Sequence, residues 1–211
     1  MIFAENILIC IAVPVLFSLL FVKGSTRLFL ISFITGMVMC LLSGYIDGFI
    51  SFASEMGQND ASIFISPIVE EIMKILPVLL ILFLFVPEDE TLLSCAIGIG
   101  VGFATFENCC YLLSFGAGSI AFILVRGLAV GVMHIISIVA EAVGLIIVRR
   151  FNALSFPSIT GALALAMTFH ALYNLLVSES GITLYIGYAL PIVTALMILL
   201  ASRRYRNDII Q

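Results

Sequence analysis

The stretch IFISPIVEEIMKILPVLLILFLFV, residues 63–86, decides the class of fold. It is long enough and apolar enough to cross a bilayer, because about 20 apolar residues in a helix span the hydrocarbon core. Its middle nevertheless carries Glu70, Glu71 and Lys74. A charged side chain at that depth costs several kcal/mol unless it is paired, hydrated or bound. The stretch is therefore both a predicted membrane span and a candidate functional site.

The composition of the whole chain is that of a polytopic membrane protein. Of 211 residues, 63% are hydrophobic and only 10% are charged, and the mean hydropathy is +1.27. Soluble domains of this size are much more polar. Apolar runs separated by polar breaks predict an all-α fold of about seven transmembrane helices, forming a single transmembrane domain over residues 1–211. The predicted spans are 5–22, 28–53, 62–86, 91–115, 118–148, 155–178 and 182–202.

Glycines in two of these spans predict close approach of helix backbones. They are Gly98, Gly100 and Gly102 in the fourth span and a GxxxG pair, Gly127 and Gly131, in the fifth.

The basic residues predict the orientation of these spans. Two of the nine, Lys74 and Arg126, lie inside spans, and the opposite loops contain none. The other seven fall on one side of a seven-span topology: Lys23, Arg27, Arg149, Arg150, Arg203, Arg204 and Arg206. Because loops rich in lysine and arginine stay in the cytoplasm, we expect a cytoplasmic C-terminus and an N-terminus outside.

Ionisable side chains are concentrated in the predicted spans three to six, about residues 62–178. They are Glu70, Glu71, Lys74, Glu107, Arg126, His134, Glu141 and His170, with Asn108 and Asn174 nearby. At about 1.5 Å of rise per residue, most of them lie at a similar depth in the outer half of the membrane. Glu141 lies deeper, two turns below His134 on the same helix face, and we expect a structural or supporting role for it.

The charges of this set do not balance. Four glutamates face Lys74 and Arg126, which leaves a formal excess of two negative charges. Either crowded carboxyl groups hold protons, or a divalent cation completes the site. Two histidines and surplus carboxylates suit zinc, with Glu107, His134 and His170 as candidate ligands. The sequence contains no HExxH motif, so separate helices would have to supply the ligands.

The order and placement of these residues resemble a known family. The motifs are Glu70-Glu71-x-x-Lys74, Phe103-Ala-Thr-Phe-Glu107-Asn108, Arg126 followed by His134, and His170-x-x-x-Asn174. Together they resemble the PrsW-type intramembrane proteases, which are related to the CAAX prenyl proteases and the Abi proteins. The resemblance covers spans three to six, more than half of the chain.

The resemblance implies hydrolysis of a peptide bond in a membrane protein near the extracytoplasmic side. It also implies site-one cleavage of an anti-sigma factor and a bacterial or archaeal cell membrane. Glu70 or Glu71 would be the general base, with His134 assisting, while His170 and Asn174 would support the oxyanion. Glu107 stands where the CAAX relatives have a histidine, and Lys74 replaces an arginine one position further on. The full candidate catalytic set is Glu70, Glu71, Lys74, Glu107, Arg126, His134, His170 and Asn174.

Two other functions fit the same residues. Buried glutamate, lysine, arginine and histidine also mark ion paths, so a proton- or cation-coupled transporter is the main alternative. A non-catalytic membrane scaffold is another, since the superfamily includes a non-proteolytic subunit of gamma-secretase. Against a transporter, the chain is short and shows no symmetry between its halves. We expect a membrane-protein substrate and the lipid bilayer as partners, and no nucleic acid.

Overall fold

The computed structural model describes residues 4–116, 118–151 and 155–210. The fold is all-helical, with 90% of the chain in helices and no strand among the described residues. The predicted all-α class is confirmed. The helices are α1 (Ala4–Ser18), α2 (Gly24–Ala53), α3 (Gln58–Phe64), α4 (Ser66–Phe85), α5 (Asp89–Phe115), α6 (Ile120–Arg150), α7 (Ser155–Ser178) and α8 (Ile182–Ile210).

Five of these helices are long and apolar enough to cross a membrane, namely α2, α5, α6, α7 and α8. Many large apolar side chains on the outside of the bundle are exposed, as a lipid environment requires. The protein is therefore an integral membrane protein. The helix α4 has 20 residues with three charged side chains, and α1 has only 15 residues. The count of seven spans and the orientation of the termini remain predictions.

The third predicted span, 62–86, is two helices rather than one. The helix α3 ends at Phe64, and α4 begins at Ser66 with Pro67 in its first turn. Proline has no backbone N–H to donate, so it fits the start of a helix and breaks a continuous one. The break at Ile65 separates the short α3 from α4.

The helix α5 forms the centre of the bundle and packs along α2 on one side and α6 on the other. A Cβ on Gly102 would overlap the backbone carbonyl of Phe33 on α2, and one on Gly36 would overlap that of Ile99 on α5. On the opposite face of α5, Gly100 lies against the backbone of α6 at His134. These glycines let the backbones approach closely, as the sequence predicts. The predicted GxxxG pair of α6, Gly127 and Gly131, is not at such a contact, because a Cβ at either would meet no described atom within 4 Å.

Ion pairs join the start of α5 to the end of α6 at one side of the membrane. Asp89, the first residue of α5, accepts hydrogen bonds from Arg149 and Arg150 in the last turn of α6. At the other end, Gly116 and Gly118 have positive φ values of 83° and 58°, which suit the turn that joins the two helices. This antiparallel pair carries Glu107, Arg126 and His134 to the middle of the bundle.

Candidate active site

His170 of α7 is held by a carboxylate of α4. Nδ1 of His170 donates to Oε1 of Glu71 over 2.6 Å, and both side chains are buried. Because an ionised carboxylate only accepts hydrogen bonds, the ring proton lies on Nδ1 and the lone pair on Nε2. That free nitrogen faces Glu70, whose Oε2 is 3.8 Å away and has no hydrogen-bond partner in the described structure. One atom or molecule placed between them could contact both.

His134 of α6 is held in the same way by a carboxylate of α5. Its Nε2 lies 2.5 Å from Oε2 of Glu107, and its Nδ1 lies 2.9 Å from Nζ of Lys74. Because an ammonium group only donates, Nδ1 of His134 accepts from Lys74 and the ring proton on Nε2 goes to Glu107. Carboxylate–histidine pairs of this kind orient the imidazole and strengthen its lone pair in metal and acid–base sites.

Lys74 and Arg126 balance these carboxylates. Nζ of Lys74 also donates to Oε1 of Glu71 over 2.7 Å and lies 5.3 Å from the centre of the Phe103 ring. The guanidinium of Arg126 lies 3.6 Å from Oε1 of Glu107 and donates to Oδ1 of Asn108 over 2.6 Å. It also stacks on Tyr111, 3.5 Å from the ring centre. A continuous polar chain therefore runs from α7 through α4 and α6 to α5.

Glu70, His134 and His170 could hold a metal ion. Each offers one ligand atom, and the three atoms lie within 4.8 Å of one another. One carboxylate oxygen with two imidazole nitrogens is a donor set that zinc accepts. The unpartnered Oε2 of Glu70 and the two oriented histidines support this fit. The gathered set differs from the predicted one in one member, because Glu70 takes the place of Glu107, which orients His134 from the side.

A polar cavity of about 410 Å³ gives access to this centre. Its walls include Glu70, Glu107 and His170, and it extends past Asn174 to α3 and the last residues of α5 and α7. The Glu107 side chain is 30% exposed and that of Glu70 14%, whereas Glu71 is fully buried. The Asn174 side-chain amide donates to the backbone carbonyl of Ser62 on α3 over 2.8 Å. That amide lies at the edge of the cavity and can donate to a peptide carbonyl.

A family model described as "PrsW family intramembrane metalloprotease" matches residues 24–201. The chain belongs to the PrsW family. No curated protein and no solved structure matches it. Family membership makes this chain an intramembrane protease and an enzyme, as the sequence predicts. It also agrees with the metal-binding potential of Glu70, His134 and His170.

The structure brings most of the predicted site residues of this PrsW protease into one network. The eight candidates Glu70, Glu71, Lys74, Glu107, Arg126, His134, His170 and Asn174 all lie in it or at its edge. Glu141 stands apart, because neither of its carboxylate oxygens has a partner. The roles of these residues stay predictions.

Two groups that contribute to the site, Tyr111 and the backbone carbonyl of Ser62, are not among the residues predicted from the sequence. Tyr111 lies four residues after Glu107, so its place on the same helix face was available as a signal. The carbonyl of Ser62 was not, because a backbone group carries no mark in the sequence. Its contact with Asn174 depends on the break between α3 and α4.

Proposed function

We propose that the PrsW protease hydrolyses a peptide bond of a membrane-protein substrate near the extracytoplasmic side of the bilayer, using Glu70 as general base. The observation that supports this most is the meeting of Glu70 with Nε2 of His170 at the wall of the polar cavity. An anti-sigma factor is the proposed substrate, as the resemblance of the sequence motifs implies. A cavity that opens at α3 and the last turns of α5 and α7 agrees with extracytoplasmic access under the predicted orientation.

Hydrolysis begins with a water molecule between Glu70 and His170. Oε2 of Glu70 has no protein partner, so it is free to take a proton from that water. In the absence of a metal, Nε2 of His170 accepts the second hydrogen bond of the water and keeps it oriented. With a metal bound, the same lone pair would go to the ion, and in both cases Glu71 fixes the tautomer. The resulting hydroxide attacks the substrate carbonyl carbon, and Glu70 then gives its proton to the nitrogen of the departing amine.

The developing oxyanion needs donors aimed at it. The Asn174 amide is a neutral donor at the cavity edge, and a substrate carbonyl would replace that of Ser62 as its acceptor. Glu107 and Glu71 hold the two histidines, and Arg126 holds Glu107. Each of these residues keeps the reacting groups oriented without needing to move.

A metal would be held by Glu70, His134 and His170. When bound, it would supply a Lewis acid that makes the water easier to ionise. A carboxylate has two oxygens, so Glu70 can contact a cation with one and accept a proton with the other. Family membership and the donor set support this arrangement over a metal-free site.

Glu70→Gln tests the proposal directly. The substitution keeps the shape of the side chain but removes its capacity to accept a proton, so we expect the cleavage rate to fall by about 100-fold or more. The assay uses the purified protein in detergent and a quenched fluorescent transmembrane peptide that the wild type cleaves. Glu90→Gln, the same chemical change at an exposed position, should leave the rate unchanged. A Glu70→Gln protein that cleaves at the wild-type rate would exclude Glu70 as the base.

A further inference from the structure

Glu141 is the most anomalous buried group outside the polar network. Its side chain is 0% exposed on α6, and neither carboxylate oxygen has a hydrogen-bond partner among the described residues. Its neighbours on α6, Ile138 and Ala142, belong to an apolar cluster with Ile75 and Val78 of α4. Burying a carboxylate without a partner is costly. This cost is explained if Glu141 receives a partner in another state of the protein.

The Lys74 ammonium lies where a cation at the site would be expected. Nδ1 of His134 carries the lone pair that a metal could use, and Nζ of Lys74 now donates to it over 2.9 Å. A metal bound to His134 through that nitrogen would have to displace the ammonium, because two cations cannot share one lone pair. The displaced ammonium would then need another buried anion.

Glu141 lies on the helix that packs against the helix of Lys74. Both side chains are fully buried, Lys74 on α4 and Glu141 on α6, and these two helices contact each other. Ile75 and Val78, which follow Lys74 on α4, belong to the same apolar cluster as Ile138 and Ala142, which flank Glu141 on α6. Side chains on a helix lean toward its N-terminus, so the carboxylate of Glu141 lies over the turn that leads back toward His134. The flexible four-carbon stem of lysine can cover the remaining distance.

We propose that Glu141 is the second partner of the Lys74 ammonium. When Glu70, His134 and His170 hold a divalent cation, the ammonium leaves Nδ1 of His134 and pairs with Glu141. The charges then balance, because a divalent cation cancels the formal excess of two negative charges in the set. Glu141 is a positioning residue that acts through Lys74 and does not touch the substrate. This inference rests on the metal site of the proposed function.

Zinc affinity measured in a double-mutant cycle tests this exchange, in which the Lys74 ammonium leaves His134 and pairs with Glu141. The dissociation constant is determined by competition with a chromogenic chelator on the purified protein in detergent. We expect Glu141→Gln to weaken zinc binding about tenfold or more, because the ammonium loses its second partner. In a Lys74→Met background, which has no ammonium to displace, Glu141→Gln should change the affinity less than about twofold. Glu141→Asp, which keeps a carboxylate, should restore most of the affinity.

Three results would overturn the inference in different ways. Equal weakening by Glu141→Gln in both backgrounds would mean that Glu141 acts on the metal through its charge alone. No weakening in the wild-type background, while His170→Ala still weakens binding, would exclude the exchange and keep the metal site. A wild type that binds zinc no better than His170→Ala would exclude the metal site and the exchange with it. If Glu141→Gln fails to elute as a folded protein, Glu141→Met is measured in its place.

Discussion

At the scale of single residues, the site depends on a repeated unit: a histidine held by a carboxylate from another helix. Glu71 orients His170, and Glu107 orients His134. In both cases the second ring nitrogen keeps its lone pair directed toward the interior of the site. Spacing in the sequence predicts that Glu70 and Glu71 can both approach Lys74, but not that Glu71 reaches His170 on another helix. Such pairings depend on how the helices pack, which the spacing within one helix does not specify.

Arg126→Lys tests the importance of this orientation. Lysine keeps the charge but loses both the bond to Asn108 and the planar stack on Tyr111. We expect the cleavage rate to fall about tenfold, because Glu107 and through it His134 lose their fixed position. The unfolding midpoint should change little. Arg203→Lys on the exposed face of α8 is the matched control. A rate equal to that of the wild type would show that the charge alone is sufficient.

At the scale of elements, hydropathy predicts where the long helices lie because backbone groups in lipid must be satisfied within the helix. The predicted boundaries between the spans 62–86, 91–115 and 118–148 lie within two residues of the observed ends of α4, α5 and α6. The break at Ile65 escaped the prediction, since the apolar run continues through it and only Pro67 marks it. The glycine pattern is informative in the same limited way. It predicts the contacts of α5 correctly, but not that the GxxxG pair of α6 faces open space.

Two alanine substitutions distinguish a glycine at a close helix contact from a glycine in open space. In Gly102→Ala the new methyl group would overlap the carbonyl of Phe33, so we expect a loss of about 1–3 kcal/mol of stability. In Gly127→Ala, where no described atom lies within 4 Å, the stability should be unchanged or slightly higher. Thermal unfolding of both proteins in the same detergent measures the difference. Equal midpoints would contradict the close packing of α2 on α5.

At the scale of the whole molecule, the bundle has two different ends. One end carries the basic residues of the loops, where Asp89 joins Arg149 and Arg150. The other end has the opening of the polar cavity beside α3. With the positive-inside rule, this asymmetry predicts that the cavity lies on the extracytoplasmic side.

Thiol labelling of intact cells checks that orientation. In a variant without the five native cysteines, Ser119→Cys should react with a membrane-impermeant maleimide from outside, because it lies in the loop between α5 and α6. Glu90→Cys, at the start of α5, should react only after the cells are lysed. The reverse pattern would place the cavity on the cytoplasmic side and contradict the proposed side of cleavage.

If this PrsW protein cleaves membrane proteins through Glu70, new peptide termini in the membrane depend on that carboxylate. Mass spectrometry can identify the new peptide termini in native membranes. Three membrane samples are compared, which contain the wild type, Glu70→Gln or Glu90→Gln. We predict termini within or just outside apolar spans, toward the extracytoplasmic side, with the wild type and with Glu90→Gln. These termini should be absent with Glu70→Gln. The same termini with all three proteins would contradict the account.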